Sequence, residues 1–243
     1  MNKEIAIEVT DLSIRYKGLK SYSIKKHLLR FRLNKAEEFE ALKNITFSIK
    51  KGQIVGIVGK NGSGKSTLLN AIAGIFSPDS GSIDLKGNTV SLLSIGVGFQ
   101  RDLSGRENIK LSGMLLGFTE EEVLSKTPEI IEFAGLGKFI DMPVRTYSSG
   151  MYSKLAFSIT AILKTNIMLI DEVLSVGDIK FKKKSYAKMK DLISDKDRTV
   201  LIVSHTPSTL IELCSTIIWL HDGEIKMIGP TQEVMDAYLK FMD

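Results

Sequence analysis

An α/β core with a helical subdomain inserted into it is the fold class the sequence predicts, and three observations predict it. A short β-branched run, Ile54–Val58, passes straight into a glycine-rich loop and a helix. The pattern turns helical from about 104 to 140. Apolar, β-rich runs then return at 167–170, 199–203 and 217–220, alternating with further helical stretches. Unbroken apolar strands between helices mark a sheet covered on both faces. The chain has 243 residues, 43% of them hydrophobic and 25% charged, enough apolar material to bury a core without cross-links. Its single cysteine, Cys214, excludes an intrachain disulfide framework and suits a reducing compartment. Met1-Asn2-Lys3-Glu4 leads into no apolar h-region, so no signal peptide is expected. No run approaches the ~18–20 apolar residues that cross a bilayer.

Along the chain, residues 5–12 alternate apolar and polar side chains and read as a half-buried strand. A second strand around 45–49 ends at a Lys51-Gly52 turn. The helix after the glycine loop spans 65–73, with Gly74 as its C-terminal stop. Ser77-Pro78-Asp79-Ser80-Gly81 is a turn, and short strands follow near 82–85 and 89–93. Ser104 with Glu107 forms a capping box that opens a helix toward Leu116. Thr119 before Glu120, Glu121 and Glu122 opens the next, with carboxylates where the helix dipole favours them. Pro128 should kink or restart that helix. His221-Asp222-Gly223-Glu224 is a hairpin turn into 225–228, and Thr231 caps a final helix.

Gly59-Lys60-Asn61-Gly62-Ser63-Gly64-Lys65-Ser66-Thr67 fits the phosphate-binding loop at every fixed position. Its glycines let backbone N–H groups turn inward as a nest around the β- and γ-phosphates, and the helix N-terminus adds partial positive charge. Lys65 supplies a full charge to the β/γ oxygens, and the Ser66 hydroxyl is placed to ligate Mg²⁺. Chance produces such a pattern in roughly one chain in a hundred of this length, and here a strand before and a helix after also fit. The strand at 167–170 ends in Asp171 and Glu172. A carboxylate at the C-terminal end of a central strand is what a Mg²⁺ shell requires, so Asp171 is the metal candidate and Glu172 the group that polarises the attacking water.

Ser148 lies 23 residues before Asp171, in Tyr147-Ser148-Ser149-Gly150-Met151, which opens an apolar helix over 155–163. Alone this would be a capped helix. Its slot, between helical subdomain and acidic strand, resembles that of the signature motif in the ATP-binding cassette (ABC) ATPases. The resemblance implies a P-loop NTPase core with an antiparallel β subdomain and a helical subdomain at about 104–163, all in one nucleotide-binding domain over 1–243. It implies ATP and Mg²⁺ as cofactors, and a homodimer in which Ser148 and the Gly150 backbone contact the γ-phosphate held by the partner. Ser149 and Met151 depart from the commonest form, which has Gly and Gln there. Gln100 matches the loop glutamine that reaches Mg²⁺ and faces the transmembrane partner. Ser175-Val176-Gly177-Asp178 matches the loop after the acidic strand, His205 the switch histidine, and Tyr16 the aromatic that stacks on adenine, with Tyr22 its competitor.

The stretches Tyr147-Ser148-Ser149-Gly150-Met151 with Leu155-Ala156-Phe157, Gly98-Phe99 followed by Leu103-Ser104-Gly105-Arg106-Glu107-Asn108, and 171–178 resemble one subgroup in particular, the ATP-binding subunits of bacterial polysaccharide exporters. That resemblance implies export of O-antigen, capsule or teichoic-acid chains, separate membrane-spanning permease subunits, a lipid-linked glycan substrate, and a peripheral place on the cytoplasmic membrane face. With the chain ending at Asp243, no C-terminal carbohydrate-binding domain is expected. An insertion at 17–41 carries most of a basic block in which Arg15, Lys17, Lys20, Lys25, Lys26, Arg30, Arg32 and Lys35 have no acid among them. A membrane-facing helix, a solvated loop and a nucleic-acid surface are its three readings; nucleic acid is disfavoured because few aromatics are there to stack bases. The rival functions are an ABC ATPase for another substrate and a soluble DNA-maintenance ATPase, but the latter usually carries long coiled coils and no sustained heptad run exists here. A small-molecule kinase leaves Ser148 and His205 unexplained.

Overall fold

Two sheets carry the fold in a computed structural model that describes residues 4–17, 38–93, 98–171, 178–204 and 206–242. Tyr22, Glu172, Ser175, Val176, Gly177 and His205 lie outside the described residues. The smaller sheet is antiparallel: β1 (Ile5–Lys17) lies between β2 (Glu38–Lys50) and, across four residue pairs, β4 (Ser80–Asp84). The larger sheet joins β3 (Ile54–Val58), β5 (Val90–Leu93), β6 (Ile167–Asp171), β7 (Thr199–Val203), β8 (Thr216–His221) and β9 (Glu224–Pro230) in the order β5-β6-β7-β3-β8-β9. All its pairs are parallel except β8 with β9, the hairpin expected from the Asp222-Gly223 turn. Because strand side chains alternate faces, a sheet covered on both sides needs apolar residues at every position. Val55, Ile57, Leu169, Leu201 and Ile218 enter one core cluster with β1, β2 and helix α1 (Lys65–Ile72). Val58, Met168, Ile170, Ile202 and Trp219 enter the other.

The helical insertion comprises α2 (Gly105–Leu115), α3 (Glu120–Ala134) and α4 (Ser149–Ile162). α2 opens with the capping box read from the sequence, and α3, expected to open at Thr119, proves to carry a full box too, between Thr119 and Glu122; each cap contributes about 1 kcal/mol. α4 belongs to two cores: Leu155, Ile159 and Ile162 pack in the insertion, while Phe157 and Ala161 pack on the sheet. It is the mechanical joint between the two bodies. α5 (Ile179–Ser194), α6 (Pro207–Leu213) and α7 (Thr231–Met242) complete the cover of that sheet face.

Several expectations are corrected. α3 runs through Pro128 without restarting. Only the bond to one carbonyl is lost to the ring, and the turn is helped by Thr127, whose hydroxyl donates to the Val123 carbonyl at 2.8 Å. Thr231 is the first residue of α7, and its hydroxyl donates instead to the Cys214 carbonyl at 2.6 Å, tying the helix start to the approach of β8. The strands flanking the insertion run further than expected, with Lys17 opposite Glu38. Lys17 and residues 38–41 of the expected 17–41 insertion therefore belong to the β ladder, and 18–37 lie outside the described residues. Arg15, counted with the basic block, is a β1 residue whose guanidinium sits 3.0 Å from Glu40.

Candidate nucleotide site

The phosphate loop leaves the C-terminal end of β3, a central strand with β7 on one side and β8 on the other. Two of its glycines have no room for a side chain. A Cβ on Gly59 would meet the Leu220 carbonyl at 2.3 Å, and one on Gly64, whose φ is +101°, would meet the Ala41 carbonyl at 2.6 Å. Gly62 needs glycine for conformation alone, with φ at +80° and open space around it. α1 then begins at Lys65 with no side-chain cap, so its first N–H groups face the loop's concavity. Lys65 is buried, and its ammonium donates to the carbonyls of Gly59 at 2.8 Å and Lys60 at 2.9 Å. Burial lowers its pKa, and the Asp171 carboxylate opposes that by favouring the charged form. The Ser63 hydroxyl is buried without a hydrogen-bond partner among the described residues. A phosphate fits this arrangement: it would satisfy Ser63 and compensate the desolvated lysine. Asn61 and Ser66 are exposed at the loop and first helical turn.

Asp171 ends β6 directly across from Val203 of β7, and Val203 in turn lies across from Ile57 of β3. The carboxylate thus stands about two strand spacings, roughly 10 Å, from the strand that feeds the loop. Asp171 and Ser66 each carry oxygen donors of the type that hard divalent cations take. Tyr16, half-exposed near the end of β1, places its hydroxyl 3.2 Å from the Thr67 hydroxyl and its ring edge-on to Phe76 at 6.0 Å. That sets its ring beside the first turn of α1.

Gln100 has an exposed side chain but a fixed backbone. Asn108, fully buried on α2, accepts from the Gln100 N–H at 2.8 Å and donates to the Gln100 carbonyl at 3.0 Å; its amide also reaches the carbonyls of Leu103 and Ser104. The sequence signal for this clamp is an asparagine four residues after the Ser104 cap; its burial appears only in the fold. Next to it, an apolar cleft of about 240 Å³ opens between sheet and insertion, lined by Ile75, Leu92, Phe99, Leu115 and Ile159. The Ser112 hydroxyl on its wall is buried without a partner among the described residues.

Ser148 caps α4, accepting from the Met151 N–H at 3.2 Å, and stays exposed. Neither Ser148 nor Gly150 shares a hydrogen bond with the phosphate loop among the described residues. A Cβ on Gly150 would find only the Ser148 hydroxyl, at 3.9 Å, so packing within the chain does not require glycine there. On the same helix Lys154 reaches Asp178, the cap of α5, at 2.5 Å. That ammonium holds the Asp178 carboxyl below its ordinary pKa.

The family model for ABC transporters matches residues 42–175. The chain is 43% identical over 242 residues to the teichoic acids export ATP-binding protein TagH of Lactococcus lactis, covering 98% of this chain and 52% of that protein. It is 40% identical to the O-antigen export system ATP-binding protein RfbB of Klebsiella pneumoniae, covering 87% of this chain and 86% of that one. The chain spans about half the length of several curated relatives it matches, 52%, 39% and 50% of three of them. Among solved structures, a dimeric ATP-binding cassette in a post-hydrolysis state with ADP and Pi matches with a TM-score of 0.70 at 22% identity, over 93% of this chain and 98% of that one.

Proposed function

The chain belongs to the ABC transporter family, and from that premise we propose that it binds and hydrolyses ATP to drive export of a lipid-linked polysaccharide across the cytoplasmic membrane. The observation that carries the reading is the phosphate loop: two glycines too crowded for any side chain, a lysine folded onto the loop carbonyls, and the buried, unpartnered Ser63 hydroxyl. In this reading residues 1–243 act as one nucleotide-binding domain. Gly59, Asn61, Gly62, Ser63, Gly64, Ser66 and Thr67 form the cradle, and Tyr16 offers its ring to the adenine. Ser66, Asp171 and Gln100 are the residues that would hold a Mg²⁺, which when bound would supply neutralisation of phosphate charge. Lys65 stabilises the charge that develops on the phosphate oxygens, Glu172 polarises the attacking water, and His205 serves as the switch histidine.

Ser148 and Gly150 complete the site of a second copy. A capping serine uses a lone pair, so its proton is free to donate to a phosphate oxygen. The uncrowded Gly150 lets a phosphate approach the α4 backbone closely. The apolar cleft beside Gln100 is the surface offered to a separate permease subunit. Among the described residues no helix is long and apolar enough to cross a membrane, which fits a subunit held at the membrane by that partner. Relatives named for teichoic acid and O-antigen export support the substrate class.

Glu172→Gln should keep ATP binding, lower turnover by about two or more orders of magnitude, and trap a closed dimer by light scattering with ATP. Near-normal hydrolysis would remove Glu172 from its role. A pull-down of the tagged chain from detergent-solubilised membranes should recover a multi-span permease; its absence would count against transport.

A further inference from the structure

Lys60 stands at a variable position of the phosphate loop pattern, and its exposed side chain has an aromatic partner. Its ammonium lies 5.2 Å from the ring centroid of Phe241, in the last turn of α7. That ring is itself held in place. Lys226 of β9 sits over it at 3.4 Å, Trp219 packs at 5.3 Å with planes 61° apart, and His221 packs edge-on at 5.1 Å. Both aromatic partners come from β8, whose Leu220 carbonyl presses against Gly59. The C-terminal helix and the phosphate loop thus meet over one strand end.

The backbone of Lys60 is the hub of the loop's turn. Its carbonyl accepts from the Ser63 N–H at 3.1 Å and from the Lys65 ammonium at 2.9 Å. Any rotation of residue 60 moves the acceptor that aims Lys65. We propose that Phe241 is a positioning residue for the phosphate loop: its ring face holds the Lys60 side chain, and through the Lys60 carbonyl it fixes the Lys65 ammonium in the orientation that receives phosphate. The inference rests on the nucleotide-site reading above and extends it to a helix outside the motifs. It makes ATP affinity sensitive to the seating of α7, because a preorganised loop pays less ordering cost on binding.

The test is equilibrium titration of the full chain with a fluorescent ATP analogue. Phe241→Leu keeps apolar cover over Trp219 but removes the ring face, and should weaken ATP about 2- to 5-fold, the worth of one exposed cation–π contact. Phe241→Tyr should restore parent affinity. Lys60→Met should show a similar loss, and the Lys60→Met, Phe241→Leu double variant should be no worse than either single change. Parent-like affinity for Phe241→Leu, or additive losses in the double variant, would overturn the inference, leaving Phe241 a cover for Trp219. Failure of the parent chain to bind the analogue would overturn the nucleotide-site reading itself, and this inference with it.

Discussion

The helix start at Gly64 and the helix start at Ser148 are built on opposite terms. At Gly64 the backbone is left-handed, no side chain caps the helix, and other strands crowd the loop from two sides. Everything that shapes that site comes from within the chain. At Ser148 a serine in extended conformation caps the helix in the ordinary way, and the glycine two residues on has open space around it. A helical glycine costs about 1 kcal/mol against alanine, and no internal contact at Gly150 offsets that cost. The first start is closed by contacts within the chain; the second is left open, as the proposed contact with a second copy requires.

The largest expected effect breaks the closed start. Lys65→Ala should abolish ATP binding by titration with labelled nucleotide, since it removes the buried full charge of the cradle; retained micromolar binding would show that the backbone nest suffices. The next effect tests the open one. Gly150→Asp should leave thermal stability near that of the parent yet remove ATPase activity through repulsion of a phosphate. Mixing it with the Lys65→Ala chain should then recover about a quarter of parent activity, because half of randomly paired dimers hold one intact composite site of two. Two inactive chains that stay inactive together would place both motifs in one subunit.

A third change probes the joint between the two. Asn108→Leu removes the clamp on Gln100 and leaves buried backbone groups unpaired, which should cost about 2–3 kcal/mol and lower the melting temperature by several degrees. Hydrogen exchange should localise the loosening to residues around Gln100. The smallest effect concerns Lys154 and Asp178, which tie α4 to α5. The Asp178 pKa is depressed in the fold, so its contribution is present above its unfolded value near ~4 and is lost as pH falls through the lower folded value. Acid unfolding of Asp178→Asn should therefore differ from the parent at neutral pH and converge with it below that window; a constant offset at all pH values would assign the difference to the cap alone.

Local chemistry made much of this protein legible before any coordinates. The capping box at Ser104, the helix start at Thr119, the strand at 54–58 and the glycine pattern at 59–64 each involve residues within a few positions of one another, and each is where the sequence puts it. Thr231 was misread because a threonine before an apolar run looks like a cap until Cys214, 17 residues away, takes its hydroxyl. Charge was also read too simply. The acid-free block at 15–35 is not alone, for α5 carries Lys180, Lys182, Lys183, Lys184, Lys188 and Lys190 with no acid before Asp191, and Lys184 lies 4.2 Å over the Phe133 ring.

The sequence by itself determined the fold class, the phosphate loop and the acidic strand end, because periodicity, capping and glycine conformation act over short spans of chain. Only the tertiary structure decided why Gly59 and Gly64 must be bare, which side chain clamps Gln100, and that the C-terminal helix leans on Lys60. Those facts depend on carbonyls of Leu220 and Ala41 and on a ring at 241, groups far from the loop in sequence that meet it only once the strands are in register.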